Sequence, residues 1–362
     1  MKTQRIPTSQ AAPGMIVADD VYTFNNQLII SAGTSLTDKM ITRLKFYSIK
    51  NVLISLAENS NGISPAPFIR ETYSEQVKNT IEFKQFNENL VNTSEQFKSK
   101  LNDIIVDQSK EIDTDELLND VGNVLNNVRN GIHMFDMLHC MREYDDETYV
   151  HSVNVALICN ILGRWLHFTR KDLDTVTLCG LLHDVGKILT PKELISKPGV
   201  LSAEEYETVK LHTLKGYNVL REKHLNIHIQ MAAMMHHERC DGSGYPMGIK
   251  SDQIDQMAKV VMIADVYDAM TSARVYRGPL CPFEVIHVFQ SEGLIKFDPK
   301  YIMTFLDHVN STYLGYRVRL NDQRKGTIIM MDRNNMSRPV IECGNQYIDL
   351  SKENDLFIEA IL

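Results

Sequence analysis

No stretch of the 362 residues supplies the roughly 18 consecutive apolar residues that a helix needs to cross a bilayer. The opening run MKTQRIPTSQAAPGMIV lacks the long apolar centre of a signal peptide. These two absences predict a cytoplasmic chain with no membrane span. Cysteine is sparse and scattered: Cys140, Cys159, Cys179, Cys240, Cys281 and Cys343 form no CxxC pair. That argues against a disulfide framework and for reduced thiols. Excess positive charge is also missing. A formal net charge of −8 disfavours a nucleic-acid backbone as the main partner. A small anionic ligand in a locally positive pocket remains compatible with it.

What is present is an ordinary soluble composition, 43% apolar and 23% charged. At about 100–200 residues per domain the length suits two or three domains. Residues 1–66 read as a small, β-rich mixed α/β domain. Val21 to Ile30 and Val52 to Leu56 have strand character, and Thr37 to Tyr47 has helical spacing. Gly62 to Pro67 reads as a linker. Residues 67–119 form a polar helical linker with a narrow apolar stripe: Val77, Ile81, Phe83, Phe86, Leu90, Phe97, Leu101 and Ile104. Such a stripe either packs on its own protein or serves as a homodimerising signalling helix.

Residues 120–310 are mainly α. Val153 to Leu166, Leu173 to Leu182 and Met257 to Thr271 are strongly apolar helical runs. Residues 311–362 change pattern again. RVRL, GTIIMMD, PVIEC and QYIDL read as short strands of a small C-terminal β-barrel.

The chemistry lies where polar residues interrupt the apolar helices. His183 and Asp184, in LCGLLHDVGK, offer an imidazole and a carboxylate from one turn. A buried ionised aspartate is costly unless paired or bound to a cation. Lys187 lies four residues after His183, on the same face if the helix continues. Glu147 and His151 form an ExxxH pair, which alone is as consistent with a solvent-facing ion pair. His236 and His237 follow the apolar run MAAMM. Adjacent helical residues point about 100° apart, so both reach one cluster only at a helix end. Asp265 lies in the most apolar helix; it is either a metal ligand or a hydrogen-bonded core aspartate, with Asp268 in support. His212, in VKLHTLKG, is uninformative alone.

Together these are five histidines, three carboxylates and one lysine. Imidazole with carboxylate suits iron, manganese or a related ion rather than a thiolate zinc site. Eight ligands exceed the needs of one ion, so two or three divalent metal ions are expected. Two ions about 3.5–4 Å apart would acidify a bridging water and clamp phosphoryl oxygens.

ETYVHS, LLHDVGK, the histidine of LHTLKG, HHERCDGSGYP, IADVYDAMTSARVYR and the later FDP occur in that order. This ordered set resembles the HD-GYP subgroup of the HD phosphohydrolases. The resemblance implies an all-helical HD-type catalytic domain that hydrolyses cyclic di-GMP to pGpG, GMP or both. It implies a centre of two or three ions, often with iron. The ligands would be Glu147, His151, His183, Asp184, His212, His236, His237 and Asp265. Asp184 would bridge, Glu147 would serve a third ion, and Lys187 would contact the scissile phosphate. Arg274 and Arg277 match positions implied to hold the ligand's phosphates. Asp241, Gly242, Gly244, Tyr245 and Pro246 form the name-giving loop, which edges the active site and meets signalling partners in the resemblance. Tyr245 either stacks on guanine or packs. Neither a receiver domain nor a GGDEF motif is found in the chain. A non-hydrolysing cyclic di-GMP sensor and an HD hydrolase of another cyclic dinucleotide or nucleotide are the alternatives.

Overall fold

The computed structural model describes the chain except residues 1, 23–27, 38–39, 42–43, 45–48, 50, 57–76, 108, 142–147, 196, 198–200, 273–279 and 345. The expected linker at 62–67 and most of the expected helix at 37–47 lie outside the described residues. So do Glu147, Arg274 and Arg277. The chain divides into two units, Met1–Gln76 with Tyr313–Leu362, and Val77–Thr312.

In the first unit, strands β1 (Lys2–Pro7), β2 (Ile16–Val17), β3 (Val21–Tyr22), β4 (Leu28–Ile30) and β5 (Asn51–Leu56) make two small sheets. The three-stranded sheet has the order β1-β5-β2, and β3 pairs with β4. β1 runs antiparallel to β5, with Ile6 opposite Val52. Those two side chains face a core shared with Val17, Ile30, Leu36, Ile41, Leu44 and Ile54. Successive strand residues point to opposite faces, so Val52 and Ile54 go in together.

The C-terminal part forms β6 (Arg317–Leu320), β7 (Lys325–Met330), β8 (Val340–Cys343), β9 (Gln346–Asp349) and β10 (Ile358–Ile361). They build one antiparallel sheet of order β10-β6-β7-β8-β9. The expected barrel is thus an open sheet: no pairing joins β9 to β10 among the described residues. The fifth strand, β10, was not anticipated, nor were β1 and β2. β2 spans two residues, too few for any alternation to register.

The helical unit comprises α1 (Ile81–Val106), α2 (Thr114–Leu125), α3 (Gly131–Met141), α4 (Thr148–Trp165) and α5 (Arg170–Leu182). After a 3-10 turn at Val185–Leu189 come α6 (Lys192–Ile195), α7 (Ala203–Lys210), α8 (His212–Glu222) and α9 (Ile227–Met235). α10 (Gln256–Thr271), α11 (Pro282–Lys296) and α12 (Pro299–Thr312) complete it. Thr80 caps α1 by accepting the Phe83 N–H. The stripe of α1 buries Phe83, Phe86, Leu90, Phe97, Leu101 and Ile104 within this unit, against α2, α3 and α4.

α10 is apolar almost all round because it is buried on several sides, by α4, α5, α9 and α11. At its far end Tyr267 meets Phe135 edge-to-face at 5.5 Å and Phe305 at 5.0 Å. Phe305 also touches Phe135 and Phe289, so one cluster ties α3, α10, α11 and α12 together. Phe305 is fully buried. Phe305→Ala is expected to destabilise the helical unit by about 3–5 kcal/mol. Urea unfolding followed by far-ultraviolet circular dichroism measures this; an unshifted midpoint would contradict the assignment.

Candidate metal centre

Five elements deliver the donors. His151 comes from the first turn of α4 and Asp265 from the middle of α10. α5 ends at Leu182, with His183 as its C-cap. Asp184 then leaves the helix at φ −101°, ψ 11° and starts the 3-10 turn. Such bridge-region geometry often marks functional residues. His212 opens α8. α9 stops at Met235 with His236 as its C-cap, so His236 and His237 sit at a helix end.

These donors gather into two groups. His151, His183 and Asp265 offer ligand atoms within 4.8 Å of one another, and so do Asp184, His212, His236 and His237. Asp184 stands between the groups. Its Oδ1 lies 3.4 Å from His212 Nε2 and 3.6 Å from His236 Nε2. Its Oδ2 lies 3.3 Å from His183 Nε2 and 3.8 Å from His151 Nε2. Asp265 also reaches both sides, with Oδ1 3.2 Å from His151 Nε2 and Oδ2 3.9 Å from His237 Nδ1.

Hydrogen bonding sets the tautomers. Nδ1–H of His183 donates to the Gly180 carbonyl at 2.7 Å, and that of His212 to Val209 at 2.6 Å. His236 Nδ1 donates to Ala233 at 3.0 Å. A carbonyl only accepts, so each of these Nδ1 atoms carries the proton, and each neutral ring turns a bare Nε2 inward. The Nε2 atoms of His212 and His236 face each other at 3.3 Å. Asp184 Oδ1, His183 Nε2 and His151 Nε2 are buried with no hydrogen-bond partner among the described residues. Acceptors converging on acceptors repel unless a cation lies among them. The donor set therefore fits divalent metal ions.

The electrostatics agree. Burial pushes His212 down to about 4 despite nearby Asp184. Burial likewise lowers His236, and lowers His237 well below the usual imidazole range. Neutral imidazole is the form that ligates. Burial opposes charge on Asp184 and Asp265, yet each is held well below the ordinary carboxylate range. The ammonium of Lys187 does this for Asp184, and His151 does it for Asp265. His151 is the exception: burial lowers it, but the carboxylates of Asp265 and Asp268 outweigh that and push it up to about 10, so a bound ion would displace its Nε2 proton.

Lys187 was expected one helical turn beyond His183. Because the α-helix ends at Leu182, it stands in the 3-10 turn and its Nζ donates to Asp184 Oδ2. Asp268 accepts from His151 Nδ1 at 2.7 Å and so orients that ring. Two further residues had escaped notice. Glu238 is fully buried and accepts the N–H groups of Met247 at 2.7 Å and Ile249 at 3.2 Å, holding the loop after the histidines. Its signal was an acid directly beside two buried histidines. Gly186 is the other: a Cβ there would meet the His212 carbonyl oxygen at 1.9 Å, so α8 approaches the turn only over glycine.

In the loop, Asp241 accepts from the N–H and hydroxyl of Ser243, and Gly242 takes φ +86°. A Cβ at Gly244 would meet Glu238 Cα at 2.3 Å. The Tyr245–Pro246 bond is cis. Tyr245 stacks on His237 at 4.6 Å, which places its ring against the donor cluster. None of His133, His139, His167, His224, His228, His287 and His308 joins either donor group; His228, for example, pairs with Asp255.

Residues 135–301 match the model of the HD domain family. Among known proteins, the cyclic di-GMP phosphodiesterase PA4108 of Pseudomonas aeruginosa is 32% identical over 203 residues, 56% of this chain and 49% of that protein. A cyclic di-GMP phosphodiesterase of Thermotoga maritima is 33% identical over 177 residues, 48% of each chain. The 3′3′-cGAMP-specific phosphodiesterase 1 of Vibrio cholerae is 37% identical over 145 residues, 40% of this chain and 34% of that one. The chain thus spans about half the length of the first two relatives, and less of the third. Among the described residues no helix is long and apolar enough to cross a membrane.

Asp268→Ala removes the acceptor that orients His151. It is expected to weaken metal affinity about 10–100-fold with helix content retained. Metal-buffered titration with elemental analysis checks this, and unchanged affinity would remove Asp268 from the supporting shell.

Proposed function

We propose that the chain is a metal-dependent phosphodiesterase that hydrolyses cyclic di-GMP. The observation that carries this reading is the pair of donor groups with Asp184 between them, opening beside Lys187 and Tyr245. Two or three divalent ions held there, iron or manganese by the mixed imidazole and carboxylate donors, would supply Lewis-acid polarisation of a phosphodiester and a nucleophile active at neutral pH.

The chain's own residues do the rest. His151, His183, Asp184 and Asp265 would hold one ion, and Asp184, His212, His236 and His237 the other. Glu147 would serve a third. Lys187, beside Asp184, brings an ammonium to the charge that develops on the phosphoryl oxygens. Arg274 and Arg277 offer guanidinium forks to the ligand's phosphates. Water adds to phosphorus and the P–O3′ bond breaks, giving linear pGpG; a second hydrolysis gives GMP. The gathering of seven donors, His212, His236 and His237 among them, supports turnover over mere sensing. Residues 120–310 carry this chemistry in our reading. The flanking segments, a homodimer and a signalling partner at the GYP loop would belong to its regulation.

The second reading is a 3′3′-cGAMP phosphodiesterase, favoured by 37% identity to the Vibrio cholerae enzyme. Anaerobically prepared protein, loaded with iron or manganese, assayed on both cyclic dinucleotides separates the two. Cyclic di-GMP is expected to give the higher kcat/KM, with pGpG or GMP as product. Binding without product would instead mark a sensor.

Asp184→Ala is expected to lower kcat by about 10²–10³-fold or more and to strip metal. Retained turnover would contradict the shared-carboxylate centre. Arg274→Ala is expected to raise KM for cyclic di-GMP by about tenfold with metal content unchanged. Steady-state kinetics decide this, and an unaltered KM takes Arg274 out of the substrate site.

A further inference from the structure

Away from the donor cluster, a cavity of about 290 Å³ lies along α2, α4 and α5, and one of about 270 Å³ adjoins it along α4 and the α2–α3 connection. Both are walled by Leu125 and Arg164. From His151 to Arg164 is 13 residues of α4, about 20 Å along its axis. The cleft is therefore separate from the metal centre, although α4 and α5 carry ligands of that centre at their other ends.

One wall is cationic and held in position. Arg164 Nε donates to Asn160 Oδ1 at 2.9 Å, Asn160 Nδ2 donates to Thr177 Oγ1 at 2.9 Å, and that hydroxyl donates to the Leu173 carbonyl. This relay fixes the inner edge of the guanidinium. The two Nη groups of Arg164 meet no acceptor among the described residues. Arg170 lines the same cavity from its rim, 85% exposed and paired through Nε with Asp174 at 3.1 Å, whose carboxylate lines the cavity too. Guanidinium forks with open Nη edges suit carboxylate or phosphate oxygens.

The opposite wall is α2, whose Leu118 and Leu125 are partly buried. Between them, Gly122 faces the cavity, and a Cβ added there would meet nothing within 4 Å. An interior helical glycine costs about 1 kcal/mol relative to alanine. Nothing packed against Gly122 requires that cost, but it keeps the cleft wide. Asn119, Asn123 and Asn126 share this wall, so the cleft pairs amide hydrogen-bonding groups with a small apolar surface, a mixture that suits small organic ligands.

We propose that the cleft between α2, α4 and α5 is a second ligand site. Its occupant is a small organic anion, its carboxylate or phosphate held by Arg164 and Arg170 and its apolar body against Leu118 and Leu125. This goes beyond the phosphodiesterase reading and does not rest on it.

The single tryptophan, Trp165, reports on the cleft. It lines the second cavity beside Arg164, its ring stacked on His308 at 4.5 Å. The full chain, excited at the red edge of tryptophan absorption, is titrated with phenyl phosphate, cyclohexanecarboxylate and inorganic phosphate. A saturable fluorescence change is expected with at least one of the two organic anions, and which one responds assigns the head group. Gly122→Leu, which fills the cleft from a helix-compatible position, is expected to weaken that response about tenfold or more, as is Arg164→Met. Helix content and bound metal stay unchanged in both. No saturable response to either organic anion, a response to inorganic phosphate alone, or wild-type binding by Gly122→Leu would overturn the proposal. Gly122→Leu decides the matter even if Arg164→Met fails to fold.

Discussion

The site is organised by an unfavourable encounter. Four imidazole Nε2 atoms and both oxygens of Asp184 lie buried within a few ångströms of one another. In water such acceptors would be hydrated; buried together they repel. The fold tolerates this because each ring is tied from behind, three to backbone carbonyls and His151 to Asp268. Those bonds stop the rings from flipping to relieve the repulsion. The result is a donor cluster whose electrostatic need is positive charge.

The remainder of the helical unit follows from holding that arrangement. α10 carries Asp265 through the most apolar part of the chain, and its neighbours α4, α5 and α9 bring the other donors to it. Helix ends matter more than helix faces. His183 and His236 are both C-caps, and His212 begins a helix. At an end the chain changes direction, so adjacent residues such as His183 and Asp184 can serve the same cluster. Gly186 and Gly244 permit the close backbone approaches on which those ends depend.

Much of the site was legible because its residues violate their surroundings. His183, Asp184, His236, His237 and Asp265 are polar groups set in apolar runs, and a buried unpaired charge demands an explanation. His212 carried no such contrast and came only with the family resemblance. Glu238 was overlooked because its partners, the N–H groups of Met247 and Ile249, lie nine and eleven residues on across a loop. The expected helical continuation from His183 to Lys187 failed for a physical reason: periodicity says where a helix runs, not where capping ends it. Strand β2 has only two residues, and the closure of a sheet into a barrel is a property of its edges, which no local pattern encodes.

Local order along the chain determined the element types, the apolar helices and the chemical identity of nearly every donor, since each depends on neighbours within one or two turns. Tertiary structure alone decided how seven donors divide into two groups, that Asp184 stands between them, and that Asp268 orients His151 across 117 residues. Those are statements about distances between helices. Packing of whole faces sets such distances, and the spacing of residues within any one helix does not contain them.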